Sequence, residues 1–167
     1  MAAGDLEAFV AYRQDPDVAR YQGWETSFSM DDGRALVRAQ PTGALPPPNG
    51  WLQLALHATD GTLVGDVAVH TLEDQPRSYE VGVTLAPAAQ GTGLATEAIT
   101  AVLHHLFTEG GARRVVAECD ARNEPIARLL QRVGMQKESS RVDAEWFKGE
   151  WITLDTYAVT SLGHAPG

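Results

Sequence analysis

Residues 78–109 constrain this chain more than any other stretch. Tyr79, Val81, Val83 and Leu85 alternate with Glu80, Gly82 and Thr84, the period-two pattern of a half-buried strand. Pro87 interrupts that pattern, and Ala95, Ile99, Val102 and Leu106 then recur at three- and four-residue spacing, so a helix is expected to begin near Gly91. The unit is strand, glycine-rich turn, helix. Such a turn lets backbone N–H groups converge, and the unpaired amides and dipole of the first helical turn favour an anion there. The same glycines also suit a plain turn and a close helix–sheet approach. No Gly-Lys-Ser/Thr follows and a third glycine is lacking, so neither common nucleotide fingerprint is present.

The flanking chain supplies the other layers. Asp5 is positioned to cap a first helix carrying Leu6, Phe9 and Val10, ending near Asp15 and Pro16. A second helix is expected over about residues 30–40, with Asp31 and Asp32 in its first turn and Arg34 and Arg38 on one face. Residues 41–50 are rich in proline and glycine and read as a loop. Strands over 51–58 and 63–70 form a hairpin about Asp60-Gly61 and lead into the central strand. Gly110-Gly111 end the long helix before a buried strand over 113–119. Ile126, Leu129, Leu130 and Val133 then form an apolar helical stripe, closed by Gly134. Strands over 135–142 and 151–160, turning at Lys148-Gly149, complete the pattern, and residues 161–167 read as a tail.

Gln90-Gly91-Thr92-Gly93-Leu94-Ala95 resembles the Gln/Arg-x-x-Gly-x-Gly/Ala motif of the GNAT superfamily of N-acetyltransferases. The segments 119–124 and 128–135, and then Trp146-Phe147-Lys148-Gly149-Glu150-Trp151 with residues 155–159, resemble the branch of ribosomal-protein alanine acetyltransferases (RimJ/RimL-like). The resemblance implies an α/β (α+β) acyl-coenzyme A N-acyltransferase fold: a mixed, mostly antiparallel sheet flanked by helices. It would form one acetyltransferase domain over residues 1–160, followed by a flexible tail. Relatives place a strand before the first helix. Only four residues precede Asp5, so that strand looks missing: either the domain tolerates a shortened sheet edge, or another chain covers it, as in a homodimer, or the natural protein starts upstream.

The resemblance also implies the chemistry: acetyl transfer from acetyl-coenzyme A to a primary amine by direct attack in a ternary complex. Gln90, Gly91, Thr92, Gly93, Leu94, Ala95 and Thr96 would hold the pyrophosphate. The backbone of Val83, Thr84 and Leu85 would bind the pantetheine arm, with the amides near Val81 and Val83 facing the thioester oxygen. Glu80 is the candidate base, with His70, His57 and Asp120 as other candidates, although alternation equally allows Glu80 to face away. Asn123 matches a position that contacts the cofactor arm and is also a helix cap before Glu124-Pro125. Arg128 is either a phosphate contact or a solvated face. Tyr21, Trp24 and Phe28 are candidate acceptor-pocket walls, or core aromatics. Leu130 stands where many relatives carry a tyrosine that protonates the leaving thiolate, and Ile126 where a small residue is expected.

Composition narrows the partners. Thirteen Lys and Arg against 22 Asp and Glu give a net charge of -9, which repels a nucleic-acid backbone and favours a cationic acceptor. Together with the resemblance, which implies a primary-amine acceptor, this leaves a protein N-terminus or a small cationic amine. One cysteine, Cys119, excludes an internal disulfide and suits a reducing compartment. No apolar run approaches a membrane span, so a cytoplasmic protein without membrane contact is expected. His104 and His105 point about 100° apart on a helix, and no metal site is expected. Two other readings remain open: a non-catalytic acyl-coenzyme A-binding or regulatory protein, and an enzyme using a longer donor such as succinyl-coenzyme A.

Overall fold

The computed structural model describes Met1 and residues 3–163. Among these, the alternating segments form strands Trp51–His57 (β1), Leu63–Thr71 (β2), Ser78–Leu85 (β3), Arg114–Asp120 (β4), Gln136–Phe147 (β5) and Glu150–Thr160 (β6). They make one sheet in the order β1-β2-β3-β4-β6-β5. Every neighbouring pair is antiparallel except β3 with β4, which are parallel. The connection between those two is a crossover helix, Leu94–Thr108 (α4 below), as parallel strands require.

Helices cover both faces: Leu6–Arg13 (α1), Pro16–Ala19 (α2), Met30–Arg38 (α3), α4, and Glu124–Arg132 (α5). Odd-numbered residues of β2, β3 and β4 (Val67, Val69, Tyr79, Val81, Val115 and Ala117) pack with Ile99, Leu103 and Leu106 of α4 and with Leu129 and Leu130 of α5. A smaller cluster of Phe9, Tyr12, Val18 and Leu63 lies under α1. The α1–α3 contact depends on Gly33, where an added Cβ would meet Val10 Cγ2 at 2.8 Å and Leu6 Cδ1 at 2.9 Å.

Three expectations need correction. Asp5 adopts helical dihedrals and makes no side-chain cap; its carboxylate instead meets His57 Nε2 at 2.7 Å across the fold. The helix expected near Gly91 starts at Leu94, because Gly91 and Gly93 both take positive φ (74° and 91°) that a helix cannot use. The last hairpin is longer than its pattern indicates, β5 running on to Phe147 through a register break between Arg141 and Glu145. Among the described residues no strand precedes α1; Ala3–Asp5 form a 3-10 turn. Of the expected tail, Ser161 to Gly163 form a turn, with Gly163 N donating to Thr160 O at 2.9 Å, and residues 164–167 lie outside the described residues.

Candidate active site

β3 and β4 separate part-way along. Their parallel register covers Ser78 with Arg114, Tyr79 with Val115, and Glu80 with Val116, and it stops there, although β3 continues to Leu85 and β4 to Asp120. Beyond that point β4 stays paired to β6 while β3 stays paired to β2, so the two halves of the sheet splay. Leu72 N donates to Ser78 O, and Ala86 N to Val64 O, which fixes the even-numbered residues of β3 as those bonded to β2. Antiparallel alternation then turns the backbone groups of Val81, Val83 and Leu85 toward the splayed side. Gln90 Nε2 donates to the Leu85 carbonyl at 3.2 Å, tying the glycine turn to the strand end.

The splay opens into a cleft of about 570 Å3. Val81, Gly82, Val83, Thr84 and Leu85 form one wall, and Ala117, Glu118, Cys119 and Asp120 the other. Gln90, Gly91, Gly93, Ala95 and Thr96 line it at the start of α4, whereas Thr92 and Leu94 do not. Thr92 instead closes the turn, its hydroxyl donating to Ala89 O at 2.7 Å. The first backbone bond of α4 runs from Glu97 N to Gly93 O, and Gly93 supplies no side-chain cap, so the preceding amides have no helical acceptor. Asn123, Ile126 and Arg128 border the cleft from α5. Asn123 does cap that helix, accepting from Ile126 N at 3.5 Å, and Arg128 Nη1 pairs with Glu124 at 2.9 Å.

The candidate acceptor residues separate. Tyr21 lines the cleft; Trp24 and Phe28 instead surround Arg13, whose guanidinium carbon lies 3.7 Å and 5.3 Å from their ring centroids. Glu80 sits at the last paired position before the splay, but its side chain is on the face opposite Val81, where Oε2 lies 3.3 Å from His70 Nδ1. Leu130 is 2% exposed and offers no acid. Burial, helped by Asp155 and Asp120, pushes the Cys119 thiol up to about 11, so it is a protonated core group rather than a nucleophile. Asp120 is held below the usual carboxylate range by hydrogen bonds from Arg122, which leaves it a poor base at neutral pH.

Several cleft residues escaped sequence reasoning. Arg132 lines the cleft and its Nη1 donates to Thr96 Oγ1 at 3.3 Å; its position one turn beyond Arg128 was the available signal. Asp17, Val18 and Gln22 reach the cleft because the chain after α1 folds across it, and no local pattern announces that.

The Acetyltransferase (GNAT) domain family matches residues 1–136. The chain belongs to the GNAT acetyltransferases. An uncharacterized N-acetyltransferase of Bacillus subtilis (strain 168), YoaA, is 30% identical over 135 residues, covering 80% of this chain and 75% of that one. The ribosomal-protein-serine acetyltransferase of Escherichia coli (strain K12) is 25% identical over 109 residues, 65% of this chain and 61% of that one. The fold is also that of a crystal structure of spermidine N-acetyltransferase from Vibrio cholerae in complex with CoA and spermine, with TM-score 0.84 at 18% identity, covering 98% of this chain and 94% of that one. This GNAT chain is therefore an acyltransferase with the mostly antiparallel sheet of its family. Among the described residues, no helix is long and apolar enough to cross a membrane.

Within that GNAT frame, Lys148 joins two distant segments. From the β5–β6 turn its Nζ donates to Ala19 O at 2.8 Å and Trp24 O at 2.6 Å, which pins the chain that brings Tyr21 and Gln22 to the cleft. Hydrogen bonds from a charged donor contribute about 1.5–3 kcal/mol. Lys148→Met is expected to raise amide exchange over residues 20–28 by about tenfold or more, read by native-state hydrogen exchange, while protection in β2 and β3 stays unchanged.

Proposed function

We propose that this chain transfers an acetyl group from acetyl-coenzyme A to a primary amine, a protein N-terminus or a small cationic amine, by direct attack in a ternary complex. The observation that carries the reading is the separation of β3 from β4 after Glu80, which leaves unpaired strand backbone leading to the glycine turn of α4. The local structure fits that ligand: among the described residues, a Cβ added at Gly91 or Gly93 would meet nothing within 4 Å beyond its chain neighbours, so both glycines present bare backbone to open space at a helix N-terminus. Amides from Gly91 to Thr96 would hold the pyrophosphate, with Thr92 and Leu94 contributing backbone only. Val83 and Leu85 would bond the pantetheine arm, Val81 and Val83 would face the thioester oxygen, and Asn123 and Arg128 would border the arm. The bound cofactor supplies an acetyl thioester. Glu80, at the apex of the splay and partly open to solvent, would take the proton of the attacking ammonium, directly or through water. Tyr21 would border the acceptor, whereas Trp24 and Phe28 pack around the buried Arg13 and are not among the residues lining the cleft.

The test is free-thiol release from acetyl-coenzyme A, with succinyl-coenzyme A alongside, over peptides with alanine or serine N-termini, polyamines and aminoglycosides. Turnover on one acceptor class is expected, falling about a hundredfold in Glu80→Gln with coenzyme A affinity retained. The buried Leu130, which removes one source of a thiolate acid, favours a second reading: a non-catalytic acyl-coenzyme A-binding protein. Tight coenzyme A binding with no thiol release for any acceptor would select it.

A further inference from the structure

His70 is held more tightly than a surface histidine needs to be. Its ring lies flat on Trp51, with centroids 4.4 Å apart and planes 3° from parallel. Both ring nitrogens face oxygen: Nδ1 is 3.3 Å from Glu80 Oε2, and Nε2 is 3.3 Å from Asn49 Oδ1. His70 and Glu80 are register partners on β2 and β3, so the contact is set by the strand pairing rather than by a mobile segment. Asn49 is presented from a left-handed backbone conformation (φ 52°) at the end of the loop before β1. Three elements thus converge on one ring.

The arrangement has a proton-counting consequence. With the Nε2 proton donated to Asn49, the lone pair on Nδ1 faces the Glu80 carboxylate, and two acceptors then oppose each other. One added proton resolves the contact, whether it sits on Oε2 and is donated to Nδ1 or sits on Nδ1 and is donated to Oε2. A single proton between Nδ1 and Oε2 therefore links the two side chains. The other groups at this corner do not compete for it. Trp51 is apolar at its contact face, and Asp66, the next acidic residue along this face of β2, is engaged by Tyr12, Arg13 and Gln53.

We propose that His70 is a positioning residue that orients Glu80 and carries the substrate proton away from it to solvent. The inference rests on the reading of Glu80 as base. The free amine nitrogen bonds the acetyl carbon, the carbon–sulfur bond breaks with its electron pair going to sulfur, and the second nitrogen proton goes to that sulfur as the free thiol, the first having passed from the ammonium to Glu80. The proton on Glu80 passes from Oε2 to Nδ1, makes an imidazolium with both N–H groups met by oxygen, and leaves to water. Glu80 is then free for the next turnover.

Two measurements test it. In the free protein, the His70 ring nitrogens are followed by 15N NMR in wild type and in Glu80→Gln. Loss of the carboxylate is expected to shift the Nδ1 resonance and remove its hydrogen-bond coupling to the partner side chain; an unchanged Nδ1 resonance would overturn the pairing. In kinetics, His70→Phe is expected to lower kcat by about tenfold or more and move the acidic limb of the pH profile, with KM for acetyl-coenzyme A unchanged, whereas His70→Gln restores part of kcat but not the pH profile. If Glu80→Gln abolishes turnover while both His70 variants keep wild-type kcat and pH profile, the relay is wrong and the base assignment stands. If Glu80→Gln turns over normally, the base assignment itself fails and takes the relay with it.

Discussion

Gly93→Val is expected to weaken coenzyme A binding by more than about a hundredfold while leaving the protein folded. Gly93 holds φ 91° and ψ -12°, a left-handed conformation that costs an L-residue about 1–2 kcal/mol and a β-branched one more. Beyond its immediate chain neighbours, no atom of the described residues stands within 4 Å of the new Cβ, so the core is not disturbed and the cost to stability stays near that strain. The ligand suffers on two counts. The branched side chain would occupy the space in front of the helix amides, and relaxation of φ would swing those amides away from a common point. Losing two charge-assisted hydrogen bonds at about 1.5–3 kcal/mol each corresponds to a hundredfold or more in affinity. Calorimetric titration with coenzyme A reads the loss, and thermal unfolding checks the fold. A dissociation constant within threefold of wild type would mean the glycine turn is only a turn.

The second large effect concerns stability. Asp66→Ala is expected to destabilise the protein by about 3–5 kcal/mol, the cost of stranding a buried charge. Asp66 and Arg13 have side chains only 1% and 3% exposed and lie 3.5 Å apart. The Asp66 carboxylate also accepts hydrogen bonds from the Tyr12 hydroxyl and from Gln53 Nε2. Burial pushes the Asp66 carboxyl above its ordinary range and the Arg13 guanidinium below its own, while their mutual attraction opposes both shifts. Arg13 has compensation beyond Asp66, because the rings of Phe9 and Trp24 lie 4.3 Å and 3.7 Å from its guanidinium carbon. Its Nε nevertheless has no hydrogen-bond acceptor among the described residues, so removal of Asp66 leaves the cation with the aromatic rings and the neutral Tyr12 hydroxyl and no counter-charge. Denaturant unfolding measures the loss. Arg13→Met combined with Asp66→Leu is expected to recover most of it, since two apolar side chains leave no unpaired charge; a double variant as unstable as Asp66→Ala would show that Tyr12 and Gln53, rather than Arg13, depend on the carboxylate.

Both effects join residues that the sequence treats differently. Gly93 belongs to a local pattern: a strand alternation, two glycines two residues apart and a helical stripe, all encoded within one segment. Such patterns express dihedral preference and period, which neighbouring residues decide among themselves. That is why the strands, the helices and the glycine turn at the cleft were legible, and why the GNAT resemblance rests on the same segments. Arg13 and Asp66 are 53 positions apart, and nothing local marks an arginine at the end of a short helix as the centre of an aromatic ring cluster.

The failures share that cause. Asp5 reads as a helix cap because a cap is a local rule, yet its carboxylate is drawn to His57, 52 positions away. Trp24 and Phe28 read equally as pocket walls or core aromatics, because no local rule separates the two, and packing sets both rings around Arg13.

By itself the sequence determined the order of elements and the bare-backbone turn at Gly91 and Gly93, because each depends on short-range period and backbone freedom, while the mixed sheet followed only from the family resemblance those segments carry. Only the tertiary structure decided where β3 leaves β4, that Glu80 stands at that point with its side chain toward His70, and that the chain after α1 crosses the cleft under the hold of Lys148. Those depend on strand register and on contacts between residues far apart in the chain, and register is chosen by the whole packed sheet rather than by any one segment.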